Sequence, residues 1–201
     1  MESLMKMFMV LLGSFITAIG IIIFIKSGWG VDPISVLLQG LETRTNLRFG
    51  TLSSLFNAVI IAFVFFIDRK KVGWGSLINA LSVGIFINLM IDMPVFKAFH
   101  PEGAFGLFFA AAAAIIMGVG LGTYVHANYG LGALEGLMVL VNERTSLSLK
   151  LIRIIIDATL VSSGFLLGGS VGIGTIAGVL LIGPSIEKTL NVYTSLSGKR
   201  I

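Results

Sequence analysis

The segment Lys26–Thr45, KSGWGVDPISVLLQGLETRT, is matched in pattern 100 residues later by His126–Thr145, HANYGLGALEGLMVLVNERT. Self-similarity at a fixed offset is typical of a chain built from two copies of one unit. The same offset aligns Gly20 with Gly120, Phe24 with Tyr124 and Asn57 with Asp157. Toward the C-terminus the offset is one residue shorter and aligns Gly84 with Gly183. The sequence therefore predicts two repeats, about 7–93 and 104–191.

The composition places both repeats in a lipid bilayer. Of 201 residues, 56% are hydrophobic and 12% charged, with a mean hydropathy of +1.00, whereas soluble domains carry about 25% charged residues. A water-soluble globule is therefore excluded. A spanning helix needs roughly 20 mainly apolar residues, and six blocks approach that length: 7–26, 50–67, 74–93, 104–125, 148–168 and 172–191. We predict an all-α polytopic protein with six transmembrane helices in one membrane domain, residues 1–201.

Each repeat also holds a segment that is too short to span. Residues 32–45 and 132–145 are amphipathic and about 14 residues long, so each is either re-entrant or interfacial, and the sequence leaves both interpretations open. Every repeat then contributes three spans and one short helix. Because three is odd, the second repeat must enter the membrane from the opposite side, which predicts inverted-topology repeats.

The basic residues indicate the orientation. Lys and Arg lie beside the apolar blocks and favour the cytoplasmic side of a membrane, so we interpret the net charge of +4 as a topology signal and expect no nucleic-acid partner. With both termini cytoplasmic, ten basic residues face inward: Lys6, Arg69, Lys70, Lys71, Arg144, Lys150, Arg153, Lys188, Lys199 and Arg200. Four then face outward: Lys26, Arg44, Arg48 and Lys97.

Two glycine turns, one in each repeat, are candidate binding elements. Gly28, Gly30 and Asp32 lie in the first turn, and Gly130 and Gly132 lie in the second. Glycine permits positive φ and close approach of the backbone, and an aspartate before a proline is typical of a helix start. A helix N-terminus at membrane depth would attract an anionic or polar solute. The alternative is that both are interfacial turns held by neighbouring aromatic side chains.

The fifth apolar block carries ionisable residues. Lys150, Arg153 and Asp157 recur at spacings of three and four, so they share one helix face, and the spacing allows Arg153 to neutralise Asp157. Ionisable groups inside a span face a partner or a wet cavity. Asn57 is the repeat mate of Asp157, and Glu135 is an acid in the second short segment, so we take these with Arg153 as candidate substrate-binding residues. The alternatives are a structural ion pair and an interfacial carboxylate.

No cofactor or metal site is expected. The chain has no cysteine and two histidines, so thiolate chemistry is impossible and the histidines cannot form a zinc site alone. No residues in the sequence have the pattern of a catalytic nucleophile with its general base. The sequence therefore predicts that the protein is not an enzyme.

Three glycine motifs resemble those of the bacterial YczE/YyaS/YitT family of integral membrane proteins, and the likeness covers nearly the whole chain. They are Gly28-Trp29-Gly30-Val31-Asp32-Pro33, Tyr129-Gly130-Leu131-Gly132 ahead of Glu135-Gly136, and Gly172-Ile173-Gly174-Thr175. The resemblance implies a multi-pass protein of the bacterial cytoplasmic membrane, in a family that is mostly uncharacterised and sometimes grouped with transporters. It supplies no substrate and no functional residues.

Two hypotheses for function follow from the residues. The first is a small-molecule transporter or exporter whose site lies between the inverted repeats, with proton coupling through Asp157. The second is a membrane regulatory or scaffold subunit that binds a protein partner and transports nothing. Besides the bilayer and the solute, a second copy of the chain is a further possible partner, because 201 residues offer little material to enclose a pathway.

Overall fold

A computed structural model describes residues 2–197. Lys199 and Arg200, which enter the topology count, lie outside the described residues. Nine α-helices and a 3₁₀ turn, Arg69–Lys71, make up the regular structure of this part, which holds no strand. The helices are α1 Glu2–Ser27, α2 Pro33–Arg44, α3 Phe49–Ile67, α4 Trp74–Met90, α5 Pro94–Lys97, α6 Gly103–His126, α7 Ala133–Arg144, α8 Leu149–Leu166 and α9 Ile173–Ser197.

Four of these helices are long and apolar enough to cross a membrane. Within the described residues they are Glu2–Ser27, Phe49–Ile67, Gly103–His126 and Ile173–Ser195. α4 is apolar but 17 residues long, and α8 has 18 residues that include a lysine, an arginine and an aspartate. Residues 2–197 are thus all-helical in their regular structure, with four apolar candidates for spans, and the count of six stays a prediction for α4 and α8.

The two predicted short segments are short helices, α2 and α7. Each has 12 residues, and each starts and ends at matched positions 100 residues apart. α2 packs against α8, and α7 packs against α3, so the short helix of each half of the chain lies on the other half. The two halves therefore contact each other at two further places, where α2 packs on α8 and where α7 packs on α3.

The centre of the molecule is the contact between α1 and α6. A Cβ built on Gly13 would lie 2.6 Å from the carbonyl oxygen of Gly120, so the absence of a side chain lets the two backbones touch. α4 also packs on α1, and α9 on α6. The long apolar helices of the two halves are thereby joined along their length.

Both glycine turns dock on the opposite half. The backbone N–H of Gly174, in α9, donates to the carbonyl of Trp29 over 2.8 Å, and the N–H of Gly75, in α4, donates to the carbonyl of Tyr129 over 2.7 Å. Gly30 has a φ of +92° and lies against the backbone of Gly172. These reciprocal bonds satisfy N–H groups in the first turns of two helices, where intrahelical partners are missing.

Candidate functional site

A cavity of about 90 Å³, which we call the central cavity, lies between the two halves of the chain and is lined by both polar and apolar side chains. Four of the residues predicted from sequence line it: Asp32, Asn57, Glu135 and Arg153. Its volume equals that of about three water molecules, at roughly 30 Å³ each, and is far below the 300 Å³ or more of a drug-sized pocket. The space therefore suits water, an ion or a very small solute.

Asp32 is positioned by the start of α2. Its side chain caps the helix by accepting a hydrogen bond from the backbone N–H of Ser35 through Oδ2, at 3.3 Å, with Pro33 at the first helical position. The sequence prediction of a helix start at this aspartate is therefore confirmed. Asp32 is buried, and among the described residues nothing donates to its Oδ1. A buried carboxylate oxygen without a donor is costly unless water or a ligand supplies one.

Arg153 and Asp157 form the ion pair that their spacing predicts. Arg153 Nε donates to Asp157 Oδ2 over 2.8 Å, and the Asp157 side chain is 9% exposed. Oδ1 of Asp157 is buried and has no partner in the described chain. Only Arg153 reaches the central cavity, while Asp157 lines a second space between α8 and α9. The ion pair thus lies between the central cavity and that second space.

Asn57 and its neighbours add neutral polar groups. Asn57 Nδ2 donates to the carbonyl of Ser53 one turn earlier, at 3.0 Å, so its amide is held along α3. Asn79 accepts a hydrogen bond from Ser14 over 2.8 Å and lies in the same lining. Thr17 and Ser53 also line the cavity and were not among the residues predicted from the sequence. The signal that could have found them is the recurrence of polar residues three or four apart on apolar helices.

Glu135 is shared by two spaces. It lines the central cavity and also a wide open recess of about 1210 Å³, which we call the vestibule, between the end of α6, the α3–α4 turn and α7. Its carboxylate lies over Gly132, where any Cβ would collide with it. Gly130 and Gly132 line the vestibule. Glu135 therefore lies in the wall of both the cavity and the vestibule.

The remaining predicted glycines face elsewhere. Gly28 has a φ of +72°, and a Cβ built on it would meet open space. The space that a Cβ on Gly30 would need is occupied by Gly172 and Thr175. Within residues 2–197 the lining of the central cavity includes neither of them. Their observed role is to let the first turn bend and dock on α9.

An ionic cluster borders the vestibule outside the four apolar spans. Lys71 Nζ lies 2.6 Å from Glu143 and 3.3 Å from Asp68. The hydrogen bond to Glu143, helped by that to Asp68, holds the pKa of Lys71 above its ordinary value. The pKa of Asp68 is lowered, first by the backbone N–H of Lys70 and then by Lys71. The cluster ties α7 to the α3–α4 turn.

The charges around the central cavity do not balance. Asp32 and Glu135 line it with Arg153 as the cation, and Asp157 already accepts from that guanidinium. The lining of the cavity thus holds two carboxylates and one guanidinium, which already donates to a third carboxylate outside that lining. Such a site attracts a cation or a proton more readily than an anion. No group of three or more metal-ligating side chains occurs in the described part of the chain.

Comparison with known proteins gives the family. The chain is 29% identical over 182 residues to an uncharacterized protein of Haemophilus influenzae, covering 90% of this chain and 81% of that one. It is 27% identical over 173 residues to the uncharacterized membrane protein YczE of Bacillus subtilis, covering 85% and 79%, and 24% identical over 172 residues to YyaS of the same organism, covering 86% of each. No solved structure matches. Since the model of a family of unknown function, DUF6198, matches residues 4–190, the chain belongs to that membrane protein family, as its resemblance to YczE and YyaS predicted.

Proposed function

We propose that the protein is a small secondary transporter of the bacterial cytoplasmic membrane, with its solute or coupling ion held in the central cavity. The observation that carries this proposal is the lining of that cavity. Asp32 and Asn57 come from the first half, and Glu135 and Arg153 from the second. Transporters built from repeats hold their substrates at such an interface, because relative movement of the halves exposes it to each side in turn.

The proposed architecture has six spans in two inverted repeats, with α4 and α8 completing the set and both termini cytoplasmic. Supporting it are the equal lengths of α2 and α7, their exchange between the halves, and the two reciprocal hydrogen bonds of the turns. The distribution of Lys and Arg supports the orientation. In it the vestibule opens to the cytoplasm, and α8 enters the membrane from the cytoplasm at Lys150.

The chemistry favours a proton or a small cation as the coupling ion. The small volume of about 90 Å³ fits a state in which neither side of the membrane has wide access to the cavity. Glu135, between the cavity and the vestibule, is the proposed cytoplasmic gate, because movement of its side chain would join the two spaces. Asp157, whose second oxygen lacks a donor, is the proposed site of proton coupling.

The test is a thermal-stability screen of the purified protein against small ions and polar solutes over a range of pH. A ligand of the folded state must raise the apparent melting temperature. We expect a solute-specific rise that Asp157→Asn and Arg153→Ala abolish. The matched control is Asp92→Asn, which makes the same change at an exposed carboxylate paired with Arg48 and Lys97, far along the chain from α8.

Two outcomes would contradict the proposal. A wild-type protein that responds to no solute, with variants that only melt earlier, would make the ion pair structural. That result would favour the alternative of a regulatory or scaffold subunit, for which a stable protein partner would be sought. A solute response that Asp92→Asn removes equally would place the site elsewhere.

A further inference from the structure

Two adjoining open spaces lie between α8 and α9. One part, which we call the lateral groove, has a volume of about 600 Å³, and the other, the basic recess, about 470 Å³. The two adjoin along four shared lining residues, Ile154, Asp157, Val179 and Leu180, and together we call them the passage. Its size is that of pockets that hold drug-sized molecules, in contrast to the small central cavity.

In the first half of the chain, the matching helices α3 and α4 are in contact through two glycines. A Cβ on Gly50 would collide with the carbonyl oxygen of Gly84, so α3 and α4 touch there. The matching positions in the second half are Lys150 and Gly183. A lysine cannot enter so close a contact, and a Cβ on Gly183 would meet nothing within 4 Å. The replacement of one glycine by lysine thus accompanies the separation of α8 from α9.

The two parts of the passage differ in chemistry. The lateral groove is apolar, with Ile176 60% and Leu180 63% exposed, and Asp157 is its single ionisable lining residue among those described. The basic recess is lined by Lys150, Arg153 and Asp157, which leaves one net positive charge. Lys150 has no ion-pair partner in the described chain, and Arg153 uses only Nε toward Asp157. Several N–H donors therefore remain for a ligand in the recess.

We infer that the passage binds an anionic phospholipid, with its phosphate in the basic recess on Lys150 and Arg153 and an acyl chain along the lateral groove. An apolar channel joined to a cationic end complements a molecule with one charged and one hydrocarbon end. Lys150 is the second residue of α8, where a span would meet the headgroups. Basic pockets between helices on the cytoplasmic side are typical sites for anionic headgroups. The site shares Arg153 with the central cavity, so the inference rests partly on the architecture proposed above, but Lys150 lines the basic recess and is not in the lining of that cavity, so a change at Lys150 tests the lipid site separately.

The test uses purified full-length protein in a neutral detergent, with dioleoylphosphatidylglycerol and dioleoylphosphatidylcholine as the two probes. These lipids share acyl chains and differ in net charge. We expect the anionic lipid to raise the apparent melting temperature by about 2–4 °C more than the zwitterionic one, as a modest gain in stability does in a chain of this size. Lys150→Gln should remove that difference, while Lys26→Gln, a lysine at the end of α1, should keep it.

A second variant separates the acyl chain from the headgroup. Ala158→Leu adds volume inside the lateral groove without changing charge or helix propensity much, so it should weaken the response to both lipids. Ala104→Leu, at an exposed alanine outside the groove, is its control. Equal responses to the two lipids in the wild type, or a charge preference that persists in Lys150→Gln, would overturn the inference. A lipid response unaffected by Ala158→Leu would overturn the assignment of the acyl chain to the groove.

Discussion

The ion pair of α8 gives the sharpest prediction, because its two members are buried to different degrees. The Asp157 side chain is 9% exposed and that of Arg153 is 34% exposed. Arg153→Met removes the donor to a buried carboxylate, whose Oδ1 already lacks one. Breaking a buried pair in this way costs about 3–5 kcal/mol, and we take about 3 kcal/mol because the arginine is partly exposed.

The reverse change should cost less. Asp157→Leu leaves a guanidinium that is one-third exposed and that can extend toward solvent or headgroups, so we expect about 1 kcal/mol. In the double variant neither member of the pair is left without its partner, because both are replaced by apolar side chains, a change that is often close to neutral. With about 1 kcal/mol for the double variant, the two sites are coupled by about 3 kcal/mol, the sum of the single costs less the double.

Equilibrium unfolding in mixed micelles of neutral detergent and dodecyl sulfate measures the free energy of unfolding of all four proteins. Equal costs for the two single variants, or additive costs in the double, would refute the argument from burial. The double variant also separates stability from function. If the proposed transporter site is correct, it should fold and still fail to respond to the solute that stabilises the wild type.

Two further predictions concern the α1–α6 contact and the ionic cluster. Gly13→Ala forces a Cβ against backbone 2.6 Å away, whereas the Cβ of Gly136→Ala meets Val64 at an ordinary 3.5 Å. The gain in helix propensity is common to both variants, so Gly13→Ala should have a free energy of unfolding lower than that of Gly136→Ala by the overpacking cost of about 1–3 kcal/mol. Equal free energies of unfolding for the two variants would contradict this. Because the pKa of Asp68 is lowered in the folded protein, Asp68 stabilises the fold above its unfolded pKa of 3.8, and this stabilisation is lost as pH falls through the folded pKa. Because the pKa of Lys71 is raised, Lys71 stabilises the fold below its unfolded pKa of 10.5, and this stabilisation is lost as pH rises through the folded pKa. The difference in melting temperature between wild type and Lys71→Gln should therefore be constant between about pH 5 and 9 and shrink on both sides, and a difference that grew at either extreme would contradict the assigned shifts.

Several features of the site were predictable because their causes are local. The cap at Asp32 depends on a proline and a backbone N–H within three residues, and the Arg153–Asp157 pair depends on one turn of helix. Glu135 was predicted from its type and position, but that it lines two cavities depends on where α7 lies relative to α3 and α6. The two missed hydroxyls, Thr17 and Ser53, point into the cavity only because α1 and α3 face each other across it.

The sequence by itself determined that the chain is a helical membrane protein, that two segments match at an offset of 100 residues, and where the short helices begin. Hydropathy and helix capping are properties of neighbouring residues, so they can be read along the chain. Only the tertiary structure decided that the glycine turns dock on the opposite half and that α8 and α9 stand apart where α3 and α4 touch. Those features depend on contacts between residues about 34 to 145 positions apart, such as Gly50 with Gly84 and Gly30 with Gly172, and no local pattern specifies which distant backbone fills the space that a glycine leaves.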